Sequence, residues 1–159
     1  MNQKRLKRCC FTGHRPEKLN MHEQEVKQRL EKAIENAIDN GFTTFISGMA
    51  RGVDMWAAEI VLTKKAFNDD IKLIAASPFP GFEKSWDLSE RQRYNYILEK
   101  ADYVKFVCDK YSKICFYIRN KFMVDHSKRV IAFFSGEKGG TKNTVEYAKK
   151  QNVEVINIV

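Results

Sequence analysis

Four short segments of this 159-residue chain gather the residue types that hold anions. They are Thr12-Gly13-His14-Arg15-Pro16, Ser47-Gly48-Met49-Ala50-Arg51-Gly52-Val53-Asp54, the loop from Pro78 to Phe82, and Ser135-Gly136-Glu137-Lys138-Gly139-Gly140-Thr141. Seven of the eight glycines lie in them, and Gly41 is the eighth. Glycine lets the backbone turn at positive φ and lets a ligand approach with no Cβ in the way. A helix that starts at such a turn offers unpaired N–H groups and the positive end of its dipole. The turns around Gly48 and Gly52, and around Gly136, Gly139, Gly140 and Thr141, can therefore hold one phosphate each. Arg15 and Arg51 add permanently charged, bidentate donors that match phosphate oxygens. Asp54 suits a ribose hydroxyl, as an acid does in dinucleotide-binding folds.

Each of these residues also has a plain reading. Asp54 near a helix start may serve only to satisfy backbone N–H groups, and Ser47 is equally placed to be an N-cap. Arg15 before a proline can be a surface residue. His14 reads as a loop donor rather than a catalytic base, because no acid nearby in sequence orients it. The turn at 136–141 lacks the Gly-Lys-Ser/Thr of a Walker A loop, and no Gly-x-Gly-x-x-Gly occurs. Neither His-Glu-x-x-His nor Gly-x-Ser-x-Gly is present. His14, His22 and His126 share no ligand spacing, and the four cysteines (Cys9, Cys10, Cys108, Cys115) form no Cys-x-x-Cys pair. Adjacent Cys9 and Cys10 point to opposite faces of a strand. No metal site or disulfide framework is expected, only reduced, mostly buried thiols.

The elements that must position these turns alternate along the chain. Strand-like runs cover 9–12, 43–47, 71–76, 103–107, 129–134 and 153–158. Helical patterns cover 22–40, 52–66, 83–101, 112–127 and the stretch from the Gly136–Gly140 turn to about Lys150. In the first, Val26, Leu30, Ala33, Ile34, Ala37 and Ile38 recur on one face, and Gly41 follows as a C-cap. Trp56 falls on an apolar helix face. Trp86, beside the Pro78–Phe82 loop, suits either core packing or stacking on a base. Strict alternation implies parallel strands with right-handed crossovers, hence an α/β three-layer sandwich with a mostly parallel six-stranded sheet and helices on both faces. The Ile-, Val- and Phe-rich strands fit a sheet covered on both sides. Such sheets bind ligands outside the carboxyl ends of their strands, where all four turns fall.

Composition agrees with one globular domain: 43% hydrophobic, 30% charged and 12% aromatic. No apolar stretch approaches the roughly 20 residues of a membrane span. No apolar h-region follows the basic N-terminus, so a cytoplasmic protein is expected. Lys and Arg number 28 against 20 Asp and Glu, a net charge of +8. Half of that excess sits on residues 1–8, through Lys4, Arg5, Lys7 and Arg8. These read as a basic arm preceding a single domain at 9–159, either a solvated tail or an attractor for nucleic acid.

The turn Ser47 to Asp54 resembles the Ser-Gly-x-Ala-x-Gly-Ile/Val-Asp turn of the DprA/Smf proteins. Gly13-His14-Arg15-Pro16, Arg119-Asn120-x-x-Met123 and Gly139-Gly140-Thr141 together resemble the YpsA-like branch of the SLOG superfamily over residues 9–158. The resemblance implies a Rossmann-like fold and a pocket for a nucleotide or nucleotide-derived ligand, such as ADP-ribose or a nucleotide-sugar. No cofactor is required by it. It also places Arg119 at the site, closing it from a neighbouring helix, and implies a homodimer or higher oligomer. The LOG enzymes of the same superfamily cleave the N-glycosidic bond of nucleoside monophosphates with an Arg, in Arg-Lys-x-x-Met, and a Glu three residues after the Thr of Pro-Gly-Gly-x-Gly-Thr. Arg119 and Met123 match the first element, with Asn120 in place of Lys. The second departs: Thr144 stands three after Thr141, and the nearest acid is Glu146. Arg119 and Glu146 are accordingly the catalytic candidates of an enzymatic reading, and the DprA branch implies single-stranded DNA binding as a further one. The leading expectation is a binding or sensing protein.

Overall fold

Alternating strand and helix patterns close into one parallel sheet. The computed structural model describes residues 3–159, so Met1 and Asn2 of the expected arm lie outside the described residues. Strands β1 (Arg8–Gly13), β2 (Thr44–Ser47), β3 (Lys72–Ser77), β4 (Tyr103–Phe106), β5 (Arg129–Phe133) and β6 (Glu154–Asn157) stand in the order β4-β3-β2-β1-β5-β6. Every neighbouring pair is parallel. The helices are α1 (Glu23–Asp39), α2 (Val53–Phe67), α3 (Leu88–Lys100), α4 (Cys115–Asp125) and α5 (Gly140–Lys150). This is the expected Rossmann-like three-layer arrangement.

From β1 the chain moves outward through β2 and β3 to β4, then crosses back to lay β5 on the other side of β1. The direction of winding reverses there, and successive crossovers leave β1 and β5 toward opposite faces. α1 packs on α2 and α2 on α3 over one face, and α4 packs on α5 over the other. The core divides accordingly. Cys9, Phe11 and Phe45 face α1–α3 with Leu30, Ile34 and Tyr94. Cys10 and Ile46 face α4 and α5 with Met123, Val124 and Val145. Adjacent Cys9 and Cys10 do point to opposite sides, as a pleated strand requires. Register Gly13↔Phe133 brings the ends of β1 and β5 level, so the turns after them open side by side.

Three local differences from the sequence reading matter. Residues 3–8 are not a free arm. Gln3–Lys7 form a short 3-10 helix, and Arg8 begins β1 opposite Thr44. Lys7 O accepts from Thr43 N at 3.0 Å, and Arg5 Nε donates to Ser127 O at 2.9 Å. The helix expected at 83–101 begins only at Leu88, where Asp87 caps it by accepting from Glu90 N at 2.9 Å. The residues before it wind through turns closed by Lys84 N to Gly81 O and Trp86 N to Glu83 O, each 3.0 Å. The helix expected at 112–127 is shorter, starting at Cys115 after a turn in which Cys115 N donates to Ser112 O. Among the described residues, no helix is long and apolar enough to cross a membrane.

Candidate functional site

A cavity of about 410 Å³ opens over the ends of β1 and β5, within the ~300–1,000 Å³ usual for small-ligand sites. The turns after β1, β2 and β5 form three of its sides. α4 contributes Phe116, Arg119 and Asn120, and the long loop before α3 contributes Phe82 and Trp86.

The turn between β2 and α2 makes the floor. Ser47 is fully buried; its hydroxyl accepts from Met49 N at 3.2 Å and donates to Asp54 O at 2.8 Å. That brace holds Met49, a non-glycine residue, at φ +65°, a conformation that otherwise costs free energy. Gly52 follows at φ +88°. A Cβ there would stand 2.8 Å from His14 O and 2.9 Å from Pro16 Cδ, so the turns after β1 and β2 lock together only over a glycine.

Gly48 lies between the two charges of the floor. A Cβ on it would lie 2.9 Å from Asp54 Oδ2 and 3.0 Å from Arg119 Nη1. Arg119 Nη1 donates to Gly48 O, and Arg119 Nε donates to Asn120 Oδ1 at 2.7 Å. Asp54 Oδ2 accepts from Ala50 N at 3.3 Å, whereas Asp54 Oδ1 is buried with no hydrogen-bond partner. Both side chains are almost wholly inside, at 5% and 6% exposure. Burial pushes the Asp54 carboxyl up to about 6, opposed by the Arg119 guanidinium and the Ala50 N–H. Burial likewise lowers the Arg119 pKa, and Asp54 opposes it. A buried charge with an unsatisfied oxygen is costly. A hydrogen-bond donor from a ligand removes that cost.

Around this floor the charges are mostly positive. Arg15 and Lys18 lie on one side and Lys138 on another, with Glu137 the opposing acid. Arg15 is exposed, and its guanidinium has no hydrogen bond or ion pair among the described residues. Arg51 lines the cavity but is paired with Glu17 at 2.6 Å. His14 Nε2 lies 3.2 Å from Ser135 Oγ, joining the turns after β1 and β5, and burial holds its pKa below the usual value. α2 and α5 both start at glycines, Gly52 and Gly139, that supply no side-chain cap. Their first-turn N–H groups face the opening as anion donors.

Of the residues singled out in the sequence, Gly13, His14, Arg15, Arg51, Asp54, Arg119, Gly139, Gly140 and Thr141 line this one cavity. Ser47, Gly48 and Gly52 lie behind it and shape it. Gly136, at φ +99°, is a turn residue outside the lining. Glu146 is not brought to the cavity; it is exposed on α5 with Lys142 Nζ 3.9 Å away. Phe82, Phe116, Asn120, Lys18 and Lys138 join the lining without having been foreseen. Phe82 stood in a loop already placed at a strand end. Phe116 carried no such signal, because its position depends on how α4 crosses the sheet. Trp86 does both things considered for it: it lines the cavity while packing edge-on to Phe82 and Tyr94, at 5.0 and 5.4 Å between centroids. Trp56 is core, 2% exposed. Among the described residues, no group of three or more His, Cys, Asp or Glu could hold a metal ion.

Comparison with known proteins agrees with this geometry. A UPF0398 protein of Bacillus cereus (strain B4264) is 30% identical over 155 residues, covering 92% of this chain and 84% of that protein. One from Bacillus thuringiensis (strain Al Hakam) is 28% identical over 160 residues, covering 96% and 87%. Among solved structures, DNA processing protein A (DprA) of Streptococcus pneumoniae superposes with a TM-score of 0.65 at 20% identity. That match covers 94% of this chain but 49% of the longer one. DNA processing protein A of Helicobacter pylori, described in a single-stranded DNA binding mode, superposes with a TM-score of 0.67 at 21% identity, covering 96% and 64%. These two likenesses establish the fold. The profile of the YpsA family, described as the YspA SLOG family, matches residues 9–158, nearly the whole chain, and the chain therefore belongs to that family.

Proposed function

We propose that this protein binds a nucleotide or nucleotide-derived ligand, of the ADP-ribose or nucleotide-sugar kind, in the cavity above β1 and β5, and that it holds this ligand rather than turning it over. The observation that carries the reading is Asp54. Its Oδ1 is buried, unpartnered and part of the cavity floor. A ribose hydroxyl is a donor of the right kind. Phosphate oxygens then fall to Arg15, Lys18, Lys138 and the N-termini of α2 and α5. Arg119 sets the field at the floor, and Trp86 with Phe82 gives a base an aromatic wall.

Turnover by N-glycosidic cleavage is the weaker reading. It asks for a carboxylate free to act on the ribose, and Glu146 lies outside the cavity. A single-stranded nucleic acid is the second reading, favoured by one observation. The aromatic wall continues outward from Phe82 through Phe116 to Phe79 and Tyr111, with centroids 5.7–6.4 Å apart along the way. Tyr111 is 61% exposed, as a base-stacking platform requires.

Calorimetric titration with AMP, ADP-ribose and NAD tests the proposal. Binding is expected for wild type and lost, or weakened at least about tenfold, in Asp54→Ala and Arg15→Ala. No binding to wild type, or equal binding by both variants, contradicts it. For the second reading, fluorescence polarisation with a labelled oligonucleotide should show affinity that falls steeply with salt and is reduced in Tyr111→Ala.

A further inference from the structure

We infer that the ligand carries two nucleoside units joined through phosphate, and that its second unit enters a smaller recess between α4 and α5. This rests on the nucleotide reading above, which anchors the first unit at Asp54. The recess holds about 130 Å³ and is bounded by Tyr117 and Lys121 of α4 and by Asn143, Thr144 and Tyr147 of α5. That is about the liquid volume of four waters, less than half of the ~300 Å³ a whole-ligand site occupies. It suits one ring or one sugar, as an annex to something larger.

The larger space adjoins it. Phe116, Asn120 and Gly140 border both. The passage between them stays open because of Gly139 and Gly140. A Cβ on Gly139 would meet nothing within 4 Å, and one on Gly140 would meet only Asn120 Nδ2, at 3.7 Å. The Asn120 amide is oriented by its neighbour: Arg119 Nε can only donate, so Oδ1 takes that bond and Nδ2 turns toward Gly140. The passage thus presents the Asn120 NH₂ and the uncapped N–H groups at the start of α5. Donors without a counter-charge are what a bridging phosphate needs.

The far wall of the recess is aromatic and preset. Tyr147 donates its hydroxyl to Asp125 Oδ1 at 2.6 Å, and Lys121 Nζ stands 5.8 Å from its ring centroid. Tyr117, 54% exposed, offers a second ring at the rim. Stacking on such rings tolerates any base. The sequence of contacts, from hydroxyl acceptor at Asp54 through phosphate donors at Asn120 to ring surfaces at Tyr117 and Tyr147, matches a dinucleotide read from end to end.

Two sources supply that chemistry: a free pyrophosphate-linked dinucleotide, or the phosphodiester end of a nucleic-acid strand. Calorimetry on the full chain with AMP, NAD and 5′-phosphorylated dApdA separates them. At least one of the two dinucleotides should bind about tenfold or more tighter than AMP, and which one does so identifies the source. Tyr147→Ala should remove that advantage and leave AMP binding as it was. Tyr117→Ala, at an exposed position that the fold does not depend on, should reduce it in the same sense. AMP binding with no gain for either dinucleotide overturns the inference while the single-nucleotide reading stands, and so does a gain that survives both substitutions. Failure of all three probes to bind removes both.

Discussion

Asp54 sits at the cavity floor with a raised pKa, and that makes its chemistry measurable in two ways. The folded carboxyl titrates at about 6 against 3.8 for the ordinary group. The fold therefore disfavours the ionised form. The cost is absent below pH 3.8, grows between 3.8 and about 6, and is complete above. Lowering the pH from 7 to 5 should raise wild-type stability by about 1 kcal/mol relative to Asp54→Asn, as read by urea denaturation at both pH values. No difference in pH response between the two proteins would refute the assignment. Ligand affinity should move the opposite way. A hydroxyl donating to Oδ1 prefers the carboxylate, so ADP-ribose, whose diphosphate keeps its charge in this window, should bind more weakly as the pH falls through 6. Gly48 supplies a second test at this scale. Gly48→Ala drives a methyl between Asp54 and Arg119, with an expected loss of about 1–3 kcal/mol together with ligand binding; unchanged denaturation and titration curves would show that the pair tolerates separation. The residue types at this site were legible in the sequence, since Asp54, Arg15 and the glycines stood out as anion-binding material. Arg119 was legible only through a family likeness, because its partner Gly48 lies 71 positions away. Glu146 was misplaced for a related reason: nothing in the spacing of α5 told which of its faces the cavity would meet.

The turns between elements carry the geometry, and Gly52 and Gly41 separate two roles of a turn glycine. Both have positive φ, +88° and +93°. Only Gly52 has backbone in the way of a Cβ, at His14 O. Gly41→Ala should cost about 1 kcal/mol, from the φ alone. Gly52→Ala should cost about 2–3 kcal/mol, because strain and collision add, and should weaken ligand binding as the turn after β1 shifts. Chemical denaturation of the two variants decides it; equal losses would mean that the His14–Gly52 contact relaxes freely. Element identities were readable where periodicity was strong, as in α1, whose buried Val26, Leu30 and Ile34 follow at four-residue steps. The stretch from Glu83 to Asp87 was read as helix because no glycine or proline breaks it. Asp87 overrides that pattern, since its side chain caps the helix from the next residue on. The consequence is functional, as the extra loop is what swings Phe82 and Trp86 over the cavity.

At the scale of the whole molecule, strand order creates the site. The alternation of strands and helices gave the layers, but it did not say that β5 returns beside β1, which is what brings residues near 14, 54, 119 and 140 to one crevice. The charge reading changes at this scale too. Residues 3–8 are pinned to the bottom of the sheet, away from the strand ends that bear the cavity. Removing residues 1–7 should lower stability by about 1–3 kcal/mol through the two lost hydrogen bonds and the melting temperature by several degrees, with ADP-ribose affinity unchanged; loss of binding by a folded deletion protein would move the anion site to that segment. The central claim, one crevice where separate turns meet a phosphorylated ligand, is tested most directly by amide chemical-shift mapping of the wild-type chain during titration with ADP-ribose. The account predicts saturable shifts confined to residues near 13–15, 50–54, 119–120 and 138–142. Shifts scattered over the surface, or grouped at residues 3–8, would contradict it.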